Sequence, residues 1–346
     1  MTRSDTDDPA RGRPAHPGHG VHRPTSGTPV RIPGSIRRTV TFDMLRPDGF
    51  AGDLVLVGFA RDLLTDVTGG SRVVATADLN VVIDYTRGRL VTAISTGGGE
   101  DGVAGLVGTS AASGFRRAAA AACPDDRAAR TPRYALLDDV PVASLVAGHA
   151  SGTADAYPMP TTEAAREVVR LQADYCAGWI DDGVMISQIK RKGSIPTVIG
   201  PVAGIIESPD DPLGWPPLAP LPVDGMRRRR RLDVHRLPDD TIAFDAFFRD
   251  SHHGRDGVEQ AVHEYTLTGT VDATTGVLLS IDPRARALPW RECISAATGA
   301  QRLVGQPLDG LRDRLGREFT GPMSCTHLND TLRSLEDVPA LAAELS

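Results

Sequence analysis

Apolar and polar positions alternate with period two through two matched segments of the chain. Residues 37–62, "RRTVTFDMLRPDGFAGDLVLVGFARD", run through an extended stretch and a Pro-Asp turn into an apolar strand that closes on Arg61-Asp62. Residues 230–250, "RRLDVHRLPDDTIAFDAFFRD", keep the same order and close on Arg249-Asp250. Further on, 78–95 ("DLNVVIDYTRGRLVTAIS") matches 264–281 ("EYTLTGTVDATTGVLLSI"), with Asp84 and Gly88 answering to Asp272 and Gly276. Alternating β-formers on either side of a glycine-bearing turn predict a hairpin in each.

The period then lengthens to that of helices. "VPVASLVAGHA" (140–150) parallels "SAATGAQRLVGQP" (295–307), each with a glycine where a helix C-cap is expected. "CAGWIDDGVMI" (176–186) parallels "CTHLNDTLRSL" (325–335) and aligns Cys176 with Cys325 and Asp181 with Asp330. Leu328, Leu332 and Leu335 recur at helical spacing and predict a core-facing stripe. The expected fold is α+β, a tandem duplication of an antiparallel β-sheet followed by helices. Residues 33–200 form the first unit, with insertions around 97–135 and 150–172, and 230–346 the second. Residues 1–32, rich in Pro, Gly, Arg and His, predict a disordered tail, and 201–229 a proline-rich linker ending in an arginine run.

Composition narrows the classes. At 346 residues, 40% hydrophobic and 24% charged, the chain can bury a substantial core. No apolar run approaches the ~20 residues of a membrane span. A net charge of −6 supplies no basic field, which argues against nucleic acid. The exception is Arg227–Arg231; a solvated edge or structural ion pairing is favoured there over an anion-binding patch. Four widely spaced cysteines and an N-terminus without an apolar h-region are read as a cytoplasmic protein with reduced thiols.

Chemistry-bearing residues concentrate in the second unit. Pro289 predicts a helix start that places Cys293 near a helix N-terminus, where partial positive charge favours the thiolate. Cys325 heads a second helix, and His263-Glu264 opens a strand. Cys293, Cys325, His263 and Glu264 form an N/O/S set suited to a tetrahedral metal, zinc or iron. His327, off the leucine stripe, and Asp330 are candidates for acid/base or supporting roles. The first unit has Ala75, Thr76 and Gly178 where the second has His263, Glu264 and His327. Each cysteine also has a plain alternative as a small buried hydrophobe, and His252-His253 as a hairpin tip.

No Gly-rich phosphate loop, nucleotide fingerprint or G-x-S-x-G elbow is present. These features lead to a metal-dependent enzyme acting on a small organic, carboxylate-bearing substrate by hydrolase, decarboxylase or lyase chemistry. The alternative is a non-catalytic sulfur or iron–sulfur handling protein.

The stretches "LPWRECISAATGAQRLVGQPL" and "FTGPMSCTHLNDTLRSLEDV", with "CAGW" and "GMRRRRRLDV", resemble the bacterial family known as domain of unknown function 2889 over nearly all of 33–346. The hairpin, the cysteine at a helix start and the closing "CTHLNDTL" are also similar to U-type iron–sulfur scaffold proteins. That likeness implies zinc or cluster binding at positions such as Cys293 and Cys325. Val262 stands where the scaffold's strand-opening cysteine would fall, and Ser324 and Pro322 replace other members' residues. Two thiols in place of three imply a mononuclear site on a similar fold.

Overall fold

The computed structural model describes residues 19–98, 102–153, 162–193, 196 and 198–345. Its frame is an eight-stranded sheet: β1 (Ser35–Leu45), β2 (Leu54–Thr65), β3 (Ser71–Asp84), β4 (Leu90–Ser95), β5 (Met226–Arg236), β6 (Thr241–His253), β7 (Glu259–Asp272) and β8 (Leu278–Ala287). The spatial order is β4-β3-β2-β1-β5-β6-β7-β8, and every neighbouring pair is antiparallel. Two four-stranded meanders therefore meet edge to edge at β1 and β5. The protein is α+β.

Both predicted hairpins form, and for the same local reason. Asp84 Oδ1 accepts the backbone N–H groups of Thr86 and Arg87, and Asp272 Oδ1 those of Thr274 and Thr275. Gly88 and Gly276 then take φ of +67° and +68°, which only glycine adopts freely.

Helices cover one face of the sheet. They are α1 (Phe115–Ala122), α2 (Pro124–Ala129), α3 (Pro132–Val146), α4 (Gly148–Thr153), α5 (Thr162–Gln172), α6 (Val184–Lys192), α7 (Ala296–Gly299), α8 (Leu311–Glu318), α9 (Thr326–Arg333) and α10 (Val338–Ala343). The even positions of β1, Val40, Phe42 and Met44, pack in one core with Leu136, Leu137 and Val140 of α3. Val234, Phe244 and Phe248 of the other half pack with Leu328 and Leu332 of α9 and with Leu335 in a second core. The leucine stripe thus faces the core as its spacing requires. Helix α3 begins earlier than the 140–150 pattern suggests: Thr131 caps it by accepting the Tyr134 N–H, and Pro132 occupies its first turn.

Several expectations are corrected. The stretch after Pro289 is not one helix. Trp290 is extended, Arg291–Ser295 is a 3-10 turn, α7 is four residues long, and a second 3-10 turn follows. The described part of the expected tail, 19–32, is hydrogen-bonded into the structure; residues 1–18 lie outside the described set. Arg23 N–H donates to Arg286 O, Leu288 N–H to Val21 O, and Arg31 pairs with Asp211. Hydrogen bonds and ion pairs, not apolar burial, hold this segment.

The arginine run opens β5, a central strand, so no solvated edge exists there. Its residues alternate between faces as the pleat dictates. Arg228 and Arg230 point under the helices, toward Asp250, Asp330 and Asp139. Arg227, Arg229 and Arg231 point to the other face and meet Asp43, Glu207, Asp233 and Asp245. Each of the five has a carboxylate partner.

Candidate metal centre

Asp250 and His263 face each other across β6 and β7 as a register pair on the helix side. A bulge between Asp250 and Ser251 shifts the register at that point, and pairing resumes with Ser251 opposite Ala261. Above them α9, capped at Cys325, brings down His327. The His263 and His327 rings stack with centroids 3.5 Å apart and planes 15° from parallel. Their edges present His263 Nδ1 at 3.6 Å and His327 Nε2 at 3.9 Å from Asp250 Oδ2. Both nitrogens are buried and have no hydrogen-bond partner.

These separations exceed a hydrogen bond. Two ligands each ~2.0–2.2 Å from one zinc ion would stand roughly 3–3.5 Å apart, and because imidazole lone pairs lie in the ring plane, loading requires the two stacked rings to splay as well as close. The three ligand atoms lie within 4.8 Å of one another, and this is the group of metal-ligating type found among the described residues. Burial, then His263 and Arg228, push His327 well below the usual imidazole range despite Asp250. Its neutral ring keeps a lone pair available.

Asp250 is fully buried and fixed from behind. Arg228 donates Nε–H to Oδ1 at 2.8 Å and Nη2–H to Oδ2 at 3.0 Å. Burial alone would raise the Asp250 carboxyl, but Arg228 outweighs it and holds the group well below the ordinary range. Arg228 Nη1 donates to Asp330, which also accepts from Arg116 of α1. Such a layer orients a ligating carboxylate, and Oδ2, though it accepts from Arg228 Nη2, has a second lone pair to offer.

Two more histidines approach from outside the triad. His149 of α4 meets His252 edge to face, with centroids 5.3 Å apart. Burial, His252 and His263 pull His149 down to about 3 against the influence of Asp250. His252 is buried and its Nε2 is unpartnered, so it is no exposed hairpin tip.

The residues singled out in the sequence separate into three places. His263 and His327 come together. Glu264, one residue along the strand, points to the opposite face, where Arg249 Nε–H and the Thr25 N–H donate to its carboxylate at 2.6 Å each. That carboxylate is engaged away from the triad. Cys325 borders it: Sγ lies 3.9 Å from His327 Nδ1.

Cys293 belongs to a thiol group with Cys325 and, unforeseen, Cys176. The Ala177 N–H donates to Ser324 O, tying the segments of Cys176 and Cys325 together. Gly178 sits so close that a Cβ there would stand 2.8 Å from Cys293 Sγ. Burial first, then the neighbouring thiols, pushes Cys176 up to about 12 and Cys293 well above its usual value. Burial raises Cys325 too, over the helix-start N–H groups that oppose it. The thiolate-favouring effect expected for Cys293 is outweighed by burial, and a five-residue 3-10 helix, Arg291–Ser295, stands where an α-helix start was expected. Asp330 lies in the ion-pair layer behind Asp250, not at the edge of the site.

Asp250, His149, His252 and Cys176 went unrecognised as neighbours. The repeated Arg-Asp closing β2 and β6 was the available signal for Asp250.

Residues 226–341 match the model of the family described as "Protein of unknown function (DUF2889)". The match spans β5 to α10 and includes Asp250, His263, Cys293, Cys325 and His327, while His149 and Cys176 fall outside it. No curated protein and no solved structure matches the chain, so the likeness to U-type scaffolds rests on motif alone.

Proposed function

We propose that the chain is a metal-dependent enzyme whose ion is held by Asp250, His263 and His327. The observation that carries this reading is the convergence of two buried, unpartnered imidazole nitrogens on one fixed carboxylate oxygen. A two-histidine, one-carboxylate set suits zinc or iron and leaves coordination positions open. When bound, the ion supplies Lewis acidity toward an oxygen of a small organic substrate, and a carboxylate-bearing one suits such positions. Hydrolysis, decarboxylation and lyase chemistry all draw on that property.

The chain's own residues do the rest. Arg228 and Asp330 lock Asp250, Phe248 stacks on His327, and His149 and His252, both pulled down by burial, stay neutral beside the site. The two halves are read as a tandem duplication in which the second unit carries the site. The matching Asp84–Gly88 and Asp272–Gly276 turns support that, as does the sheet order about β1 and β5. A sulfur-handling role would need an exposed thiol, and burial of Cys293 and Cys325 weighs against it.

Metal analysis of the purified protein tests the reading. One zinc or iron per chain is expected, lost in His263→Ala and His327→Ala and kept in Cys293→Ser and Glu264→Gln. No stoichiometric metal in the parent overturns it, and metal lost only in the cysteine variant moves the site to the thiols.

A further inference from the structure

The opposite face of the sheet carries a second set of unsatisfied groups. Thr39 of β1 stands directly between Arg61 of β2 and Arg231 of β5 in the sheet register. One rung along, Thr41 stands beside Arg229. Thr39 Oγ1, Thr41 Oγ1 and the Nε atoms of Arg61, Arg229 and Arg231 are all buried without a hydrogen-bond partner. Thr39, Thr41, Arg61 and Arg231 are 1%, 3%, 8% and 4% exposed. Buried donors of this kind are costly to leave unmade, more so when charged.

Charge is unbalanced at the same place. Arg31, Arg37 and Arg231 pair with Asp211, Asp233 and Asp245. Arg61 has no carboxylate within salt-bridge distance and gives one Nη2–H to Leu213 O. Four guanidiniums thus face three carboxylates beneath the 211–215 segment. A buried cation without a counter-charge is strongly disfavoured.

We propose that this face binds a small inorganic oxyanion, phosphate or sulfate, between Arg61, Thr39 and Arg231, with Thr41 and Arg229 at its margin. Neighbouring strands lie ~4.7–4.9 Å apart, so Arg61, Thr39 and Arg231 stand abreast in one row across three strands. Several donors side by side suit an oxyanion, whose separate oxygens each accept a charge-assisted bond of ~2.7–2.9 Å, better than a single-atom ion. Guanidinium forks and hydroxyl donors are the groups that recognise such oxygens. A groove of about 860 Å³, lined by Trp215, Arg227, Arg229 and His253 and also by Glu207 and Glu259, reaches the margin of the site at Arg229. The anion completes the charge under the 211–215 segment and holds it to the sheet. This site is independent of the metal centre, which lies on the other face.

Equilibrium dialysis of the full chain against labelled phosphate, with melting temperature followed in parallel, tests the assignment. One phosphate per chain is expected, with a saturable rise in melting temperature that chloride at equal ionic strength does not give. Thr39→Val, close to isosteric, should weaken binding at least tenfold, whereas Thr39→Ser should retain it. Arg61→Met should abolish it; should that variant fail to fold, the threonine pair decides. A rise linear in salt, or phosphate binding unchanged in Thr39→Val, overturns the proposal, since general exclusion of kosmotropic anions stabilises any fold.

Discussion

In the β1–β4 half, Arg38 donates Nε and Nη2 to the two oxygens of Asp62, at 2.7 and 2.6 Å, and Nη1 to Asp337 at 2.9 Å. In the β5–β8 half, Arg228 does the same to Asp250 and Asp330. The carboxylates then meet different partners. Across the ladder from Asp62 stands Ala75; across from Asp250 stands His263. The buried arginine–aspartate fork is therefore part of the frame, present with or without imidazoles beside it. What distinguishes the second half is the pair of histidines on an aspartate the frame had already fixed. The comparison also shifts the sequence match, because Arg38 corresponds to Arg228 and not to a later arginine of the run.

The largest test of this equivalence removes each arginine. Arg228→Met strands Asp250 and Arg38→Met strands Asp62, while Asp330 keeps Arg116 and Asp337 keeps Arg312, so each should cost ~3–5 kcal/mol in urea unfolding at neutral pH. A loss below ~1 kcal/mol in either half breaks the parallel.

Acid should act through the layer joining the halves. Burial would raise Asp138, but Arg333, Arg116 and Arg312 outweigh it and hold the carboxyl far below its usual range. A depressed folded-state value means this stabilisation is present above about pH 4, the ordinary aspartate value, and is lost as pH falls below it. Unfolding free energy measured from pH 5 to 2 should drop, and Asp138→Asn should flatten that slope. An unchanged slope would assign acid sensitivity to other groups.

Outside the buried forks, pairs should matter little. Lys190 and Asp181 touch at 2.8 Å but are 44% and 46% exposed. Lys190→Ala should change stability by less than ~0.5 kcal/mol, screened further by salt. The smallest effect sharpens the contrast between halves most. Ala75→His restores the strand partner of Asp62 but no counterpart of His327, so the variant should bind no more metal than the parent.

Much of the fold was legible in short-range pattern. Period-two alternation found the strands, Asp-x-x-x-Gly found both turns, and the leucine spacing found α9. The proposed metal centre was half legible: His263 and His327 stood out as residues with no counterpart in the first half. Glu264 misled because adjacent strand residues face opposite ways, and only its partners Arg249 and Thr25 show which way it points. Cys293 misled because Pro289 signals a helix start that the chain does not take.

The sequence by itself determined the order of strands and helices, the two Asp–Gly turns and the identity of the histidines. Those follow from forces acting within a few residues of one another. Only the tertiary structure decided that β1 and β5 join the halves, that five arginines lie on a central strand, and that Asp250 receives His263 and His327. Each depends on groups tens to hundreds of residues apart along the chain, such as Arg116 and Asp330. Their pairing is selected by the high cost of burying a charge alone, which no local pattern records.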